Sequence, residues 1–319
     1  MIMRNKVRII MDPSHANWVL GGLFREVSEI NPKFFYGPIS ISNIRNRKVL
    51  KSFFVITYFS LLRAPLFFTS LTPLQNFIKI NPFKTNLKIL FFTHYENDMS
   101  EKIIILLNSI DLVFCMSIFE KNNLIKLGVK TRIVVITGVI DPKRFNGSPT
   151  LGSKIAWIGT PVSRKNPEIF VKFVQENPEI YFKLIGKGWN KHYLWKEIIN
   201  LKNIDYKEIV KPLSYEDFNE CSHYLMISNI EGGPISLLEA LASSLVPICT
   251  PVGVANELLT SLGYQNQLLS LPLSFNEIII KYKNFYSDEF RVSVKKSIEE
   301  YSVTRLCMIF ENEIQQIIK

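Results

Sequence analysis

Cysteine is scarce in this chain and none of it is paired. The four cysteines, Cys115, Cys221, Cys249 and Cys307, lie far apart, with no Cys-x-x-Cys spacing, which argues against a disulfide framework and against a cysteine-rich zinc site. Three of them fall within apolar runs and read as small buried side chains. No Asp-x-Asp pair occurs, and no His, Cys or carboxylate cluster has metal-ligand spacing, so no metal and no resident cofactor are expected. Zinc-finger spacing and RNP-like aromatic patterns are also missing, so nucleic acid is not an expected partner despite a formal charge of +10. Long uninterrupted apolar runs are lacking as well. The most apolar stretch, residues 52–71, is broken by Arg63 and Pro65 and falls short of the roughly 20 residues needed to span a membrane. It reads instead as a helix or strand followed by a buried strand, Leu66–Ser70. The opening residues lead straight into a strand pattern at Val7–Met11 without the design of a signal peptide, and together with the unpaired cysteines this fits a reducing cytoplasm.

The chain does have enough apolar material for two cores. Its 319 residues are 47% hydrophobic, more than a single core usually accommodates. Charge is unevenly divided. Residues 1–150 hold 20 Lys and Arg against 9 Asp and Glu, and the remainder hold 18 against 19. The densest cluster, Arg45, Arg47, Lys48 and Lys51, stands beside Phe53, Phe54, Tyr58 and Phe59. Such a basic half is either a solvated surface or a contact for an anionic membrane or substrate.

Short β-rich runs alternate with helical stretches throughout, the pattern of parallel sheets. Strands are expected at Val7–Met11, Leu66–Ser70, Ile89–Thr93, Leu112–Met116 and Ile133–Ile136, and helices at Gly22–Ile30, Glu101–Asn108 and Ile118–Leu127. The turn-rich segment 146–153 marks a boundary, giving domains over 1–149 and 150–319. After it the pattern restarts with a strand at Lys154–Ile158, a helix at Pro167–Gln175 and a strand at Tyr181–Ile185. The fold class is therefore α/β, with two Rossmann-like doubly wound units facing a cleft at the carboxyl ends of their strands.

The most informative segment is Glu231-Gly232-Gly233-Pro234-Ile235-Ser236-Leu237-Leu238-Glu239. A strand-like run at 224–228 precedes it and a helix pattern follows. Strand, glycine turn and helix start together expose unpaired backbone N–H groups, a favourable site for phosphate. Glycine lets a ligand approach the backbone, and Pro234 is tolerated where a helical N–H would have no partner. Carboxylates repel phosphate, so two glutamates flanking this anion site suit hydroxyl groups, as when an acidic residue holds a ribose. A sugar nucleotide has all these parts. Read more plainly, the segment is a surface helix with Glu in its first turns.

The ordered string resembles the signature of retaining glycosyltransferases of family 4, in which two glutamates separated by seven residues precede a small-residue helix. Residues 245–253 and Glu257-Leu258-Leu259 are similar to that family's next strand and turn. Asp111–Ser117, Leu127-Gly128 and Gly138-Val-Ile-Asp141 with Phe145 resemble its linker-side strands. The resemblance implies the glycosyltransferase B fold, often closed by C-terminal helices that cross back to the first domain. Residues 301–310 are similar to those. It also implies that Glu231 takes the hydroxyls of the transferred sugar, Glu239 takes the ribose, and the amides of Gly232, Gly233, Ile235 and Ser236 cradle phosphate around Pro234. Where the family carries Arg directly after the first glycine of the second domain, Gly159, this chain has Thr160. Lys165 matches the family's lysine, and Arg164 is placed to supply the missing guanidinium. Two cations beside a helix start at Pro167 suit a diphosphate leaving group, whose oxygen gains charge as the glycosidic bond breaks.

By the same resemblance Gly186 lies against the nucleotide, and Lys211 sits in a loop near the base. Gly21 and Gly22 form a glycine loop approaching the donor phosphates, His94 lies against the transferred sugar, and His15 is on the acceptor side. The implied activity is metal-independent transfer of a hexosyl group from a UDP- or GDP-linked donor to a glycan or lipid-linked acceptor, as in bacterial surface polysaccharide synthesis. A sugar-nucleotide epimerase of the same fold, or a degenerate donor-binding partner of another transferase, would share the donor site.

Overall fold

The computed structural model describes residues 7–11, 19–36, 64–80, 87–93, 100–209, 212–284 and 286–318. His15, His94, Lys211 and the basic cluster at 45–51 lie outside these residues. The chain forms two compact units. One comprises Met1–Thr137 and Val303–Lys319, the other Gly138–Ser302.

The first unit is built on a six-stranded sheet of β1 (Val7–Ile10), β2 (Phe34–Tyr36), β3 (Leu66–Phe68), β4 (Lys88–Phe91), β5 (Leu112–Cys115) and β6 (Arg132–Val135), in the order β2-β1-β3-β4-β5-β6. Every pairing is parallel. Strands covered on both faces need apolar side chains at every position. Leu66–Phe68 and Leu112–Cys115 are accordingly buried throughout. One face holds Ile10, Leu66, Phe68, Leu90 and Val113 in a single core with Leu74 and Phe77. The last two belong to a helix, α2 (Leu71–Ile80), that follows α1 (Val19–Ile30). On the other face Phe310, from the C-terminal helix Val303–Ile318, stands 4.7 Å from Phe114 and 4.9 Å from Phe67, ring centre to ring centre. Phe24 of α1 stacks on the same Phe310 at 6.3 Å. The last helix thus completes the core of the first unit, with Lys33–Glu311 and Arg132–Glu313 ion pairs at its surface.

Two expectations are corrected here. Helix α1 begins at Val19, so Gly21 and Gly22 lie within its first turn rather than in a loop before it. The resemblance implied a glycine loop here; glycine is a weak helix former, but its cost of about 1 kcal/mol is small enough for a helix to run through the pair. Strand β2 and helix α2 were not anticipated. Three residues are too few to show a period, and Pro73 is permitted in the first turn of α2. The turn-rich segment at 146–153 is not where the units divide. Residues 138–145 already pack with the second unit: Ile140 N–H donates to Tyr301 O at 2.9 Å, and Ile140 and Phe145 lie in its core.

The second unit carries a five-stranded sheet of β7 (Lys154–Ile158), β8 (Phe182–Gly186), β9 (Ile204–Glu208), β10 (Cys221–Met226) and β11 (Val246–Cys249), ordered β11-β10-β7-β8-β9. All its pairings are parallel too. After α3 (Glu101–Leu107) and α4 (Ile118–Lys126) of the first unit, the helices here are α5 (Pro167–Glu176), α6 (Trp195–Ile198), α7 (Ile235–Ala242), α8 (Ala255–Ser261), α9 (Phe275–Tyr282) and α10 (Asp288–Ile298). Residues of α5, α6 and α9 form one core on the sheet, and residues of α7, α8 and α10 form another. This is the doubly wound α/β architecture expected. Among the described residues no helix is long and apolar enough to cross a membrane.

Buried charge in the first unit gives a test of the packing. Ser117 caps α4 by accepting from Glu120 N–H at 3.0 Å, while Glu120 Oε2 accepts from Met116 N–H at 3.0 Å. The other oxygen is buried with no hydrogen-bond partner among the described residues. Burial pushes this carboxyl up to about 8, against the opposing effect of the Met116 N–H. Below the ordinary carboxylate range both folded and unfolded chains hold the proton. As pH rises from there towards about 8, only the unfolded chain ionises, so stability is lost across that window. Glu120→Gln keeps the acceptor for Met116 and removes the titration. The variant should melt several degrees above the parent at pH 8 and close to it at pH 4.5, by calorimetry. A gap of equal size at both pH values would contradict the burial argument.

Candidate functional site

In a parallel sheet the loops at the carboxyl ends of neighbouring strands lie together. Here β7 and β10 are neighbours. The loop after β7 runs through Gly159 to a 3-10 turn, Ser163–Lys165, and enters α5 at Pro167. The loop after β10 runs from Ile227 to Pro234 and enters α7.

The two loops are joined by three sets of contacts. Glu231 Oε1 accepts from Lys165 Nζ at 2.7 Å, from Arg164 Nη1 at 2.7 Å and from Ser228 Oγ at 3.0 Å. The Arg164 guanidinium also donates to Ile230 O at 3.1 Å, and Asn229 N–H donates to Arg164 O at 2.7 Å. Finally, Asn166 and Asn229 exchange side-chain amide hydrogen bonds at 2.9 Å each way, and Asn166 Nδ2 donates to Ile227 O at 2.7 Å. Asn166 adopts the left-handed backbone, with φ 53°, a conformation Asn tolerates better than most residues. It ends the 3-10 turn and places Pro167 at the first position of α5.

Burial by itself would raise the Glu231 carboxyl, but the charges of Lys165 and Arg164 and their hydrogen bonds hold it below the ordinary range. It is a carboxylate at neutral pH. The cluster of two cations and one anion keeps one net positive charge.

The start of α7 lies directly after this cluster. Pro234 is the residue before the first helical turn, and no side chain caps it. Ile235 and Ser236, as first-turn residues, have N–H groups with no acceptor one turn back in the helix. Gly232 O accepts from Val254 N–H at 2.9 Å, which pins the turn to the loop after β11. Close approach is required there: a Cβ on Gly253, whose φ is +58°, would stand 2.3 Å from Glu231 O. Ser236 Oγ meets the buried Tyr224 hydroxyl at 2.8 Å.

Glu239, further along α7, has a different environment. Its carboxyl is almost completely buried, and among the described residues Arg144, with Nη1 3.7 Å away, is its one cationic partner. Burial pushes it up to about 7, with Arg144 acting against that and Asp217 adding to it. Gly186, at the end of β8, packs on the loop after β7. A Cβ there would sit 2.0 Å from Gly159 O, the carbonyl that accepts from Trp189 Nε1 at 2.9 Å.

Of the expected site residues, the structure brings Arg164, Lys165 and Glu231 into one cluster, next to Gly232, Gly233, Pro234, Ile235 and Ser236. Gly159 lies beside the Lys165 side chain. Gly21 and Gly22 belong to the other unit and to the first turn of α1. Ser228, Asn166, Asn229 and Arg144 were not singled out from sequence. The Asn166-Pro167 pair at a helix start was a legible signal, and so was Ser228 three residues before Glu231. Arg144 carried no signal of its own.

Asn166 allows the joint to be tested. Asn166→Gly keeps the left-handed backbone and deletes the amide, so it should cost roughly 2–4 kcal/mol for the three side-chain hydrogen bonds lost. Asn166→Ala should cost roughly 1–2 kcal/mol more through backbone strain. Urea unfolding of both variants measures this, and equal losses would show that the backbone conformation contributes nothing.

Residues 143–298 match the model of the family described as glycosyl transferases group 1. The O-antigen biosynthesis glycosyltransferase WbnH of Escherichia coli is 24% identical over 196 residues, which cover 60% of this chain and 57% of that protein. The probable O-antigen biosynthesis glycosyltransferase WbiN of the same organism matches to the same extent. The match thus spans little more than half the length of these curated relatives. Among solved structures, a sucrose-phosphate synthase from Thermosynechococcus elongatus is 11% identical with a TM-score of 0.72, covering 98% of this chain and 99% of that one. A glycosyltransferase from Rickettsia africae is 14% identical with a TM-score of 0.70, covering 99% of each chain. The pneumococcal O-GlcNAc transferase GtfA, solved with UDP and GlcNAc, is 16% identical with a TM-score of 0.61, covering 83% of this chain and 60% of its own. These likenesses identify the fold as glycosyltransferase B, and the family match, with the glutamate string inside it, identifies residues 143–298 as a domain of the group 1 glycosyl transferases.

Proposed function

We propose that this chain is a retaining glycosyltransferase resembling family 4, which moves a sugar from a nucleotide-sugar donor to a glycan or lipid-linked acceptor in surface polysaccharide synthesis. The observation that carries the reading is the Arg164–Glu231–Lys165 cluster set against the uncapped start of α7. Cations and helix amides at one point suit a diphosphate, whose charge grows as the bond to the sugar breaks. Glu231 is ionised and hydrogen-bonded from within the protein, so it can accept sugar hydroxyls without first losing a proton. Glu239, eight positions on and buried, would take the ribose hydroxyls. The sugar would pass through an oxocarbenium-like state while the acceptor hydroxyl attacks from the face the diphosphate leaves. Lys165, Arg164 and the α7 amides would provide the charge neutralisation that a divalent ion provides elsewhere.

The named functions of the Escherichia coli relatives support a surface-glycan acceptor, and the UDP held by the pneumococcal neighbour makes UDP-linked donors the first to test. Thermal unfolding in the presence of UDP- and GDP-linked sugars should show one class raising the melting temperature by several degrees. Saturation at 100 times the dissociation constant adds about 2.7 kcal/mol. Glu239→Ala should abolish that rise. An unchanged rise in the variant would remove the ribose assignment, and no rise with any donor in the parent would remove the functional reading.

A further inference from the structure

Arg144 lies in the 3-10 turn Pro142–Phe145, a segment whose Asp141 and Phe145 carried a resemblance while Arg144 did not. Its environment is specific. Asp141 Oδ1 accepts from Lys143 N–H at 3.0 Å, and Asp141 Oδ2 stands 3.5 Å from Arg144 Nε. The guanidinium lies over the Phe145 ring at 5.7 Å and donates from Nη1 to Leu213 O at 2.9 Å. The same Nη1 is 3.7 Å from Glu239 Oε1. A ring, a carbonyl and a carboxylate thus fix this cation beside a carboxyl that is almost completely buried. Arg144 Nε is buried and makes no hydrogen bond among the described residues, a cost that packing alone does not explain.

We propose that Arg144 is a positioning residue for the nucleotide: it holds Glu239 charged and in place, so that the Arg144–Glu239 pair reads the ribose. This inference rests on the reading of Glu239 given above. A hydroxyl donates about twice as strongly to a carboxylate as to a neutral acceptor, so the charge of Glu239 sets how firmly a ribose is held. The other groups around Glu239 do not supply that charge. Asp217, from the turn Tyr215–Phe218, opposes it and is itself paired with Lys207. The Tyr224 hydroxyl on β10 is engaged by Ser236, and Lys295 on α10 is directed to Gly147 O. Glu231 is held by its own two cations. Without Arg144, burial would leave Glu239 protonated at neutral pH.

Calorimetric titration of UDP and GDP into the parent, Arg144→Met, Arg144→Lys and Glu239→Gln proteins between pH 5.5 and 9.5 tests this. In the parent, affinity should rise with pH through a midpoint near the Glu239 value of about 7. Arg144→Met should bind about fivefold more weakly at pH 7, because one unit of displaced titration lowers the ionised fraction of Glu239 from about one half to about one eleventh, and should recover most of the loss at pH 9.5. Arg144→Lys should fall between the two, and Glu239→Gln should lose the midpoint. A loss of the same size at every pH, or an unmoved midpoint in both Arg144 variants, would overturn the proposal and leave Arg144 a packing residue. The lysine variant keeps the test intact should Arg144→Met not fold. Failure of the parent to bind either nucleotide would instead bring down the reading of Glu239 itself, and this proposal with it.

Discussion

A single carboxylate oxygen ties together the ends of two strands. Glu231 Oε1, on the loop after β10, accepts from both cations of the loop after β7. The arrangement of charge at the start of α7 depends on this joint. Without it, Arg164 and Lys165 would be two like charges on one short turn, repelling each other and free to spread into solvent. With it, they are fixed within hydrogen-bonding distance of one atom. The Asn166–Asn229 pair and the Arg164 carbonyl add neutral hydrogen bonds that keep the loops in register when a ligand competes for the cations. A buried ion pair is seldom a source of net stability, because desolvation offsets attraction. Its value here is that two cations and an anion are already ordered at the helix start where a charged ligand would arrive.

The two glutamates of one motif therefore have opposite electrostatics. Glu231 is buried but surrounded by donors, and is held in the charged form. Glu239 is buried with Arg144 as its one cationic partner among the described residues, and its carboxyl is pushed up to about 7. Two carboxyls with separated ionisation imply separate tasks. On the proposed reading, a charged carboxylate that already has three internal donors would be a fixed reference point for a sugar. One poised near 7 responds to what binds beside it.

Much of this was legible in the sequence, for identifiable reasons. Parallel sheets demand continuous apolar strands, so Leu112–Cys115 and Lys154–Ile158 stood out as runs between turn residues. The glutamate string was legible because its order of strand, glycines, proline and helix is dictated by backbone chemistry. The joint itself was less visible. That Arg164 and Lys165 bind Glu231 follows from β7 and β10 being adjacent, and strand order is a long-range property that no local pattern records. Arg144 was hidden for the same reason: its partner lies far along the chain, and one arginine in a basic half has no signature. The glycine pair at 21–22 misled because the resemblance there rested on the two glycines alone, and glycine is disfavoured in a helix without being excluded from one. The three-residue β2 and the helix Leu71–Ile80 were obscured by shortness and by an early proline.

The central claim is that the Glu231 cluster is where a sugar leaves a diphosphate. The most direct measurement follows a nucleotide sugar and its product by phosphorus and proton NMR, in the parent and in Lys165→Met, with an extract of lipid-linked glycans as acceptor. The expected result is release of nucleoside diphosphate with the anomeric configuration of the sugar kept, slowed by about two orders of magnitude or more in the variant, the scale on which loss of one charge-stabilising donor acts. Transfer that proceeds equally well without Lys165, or a product of inverted configuration, would contradict it.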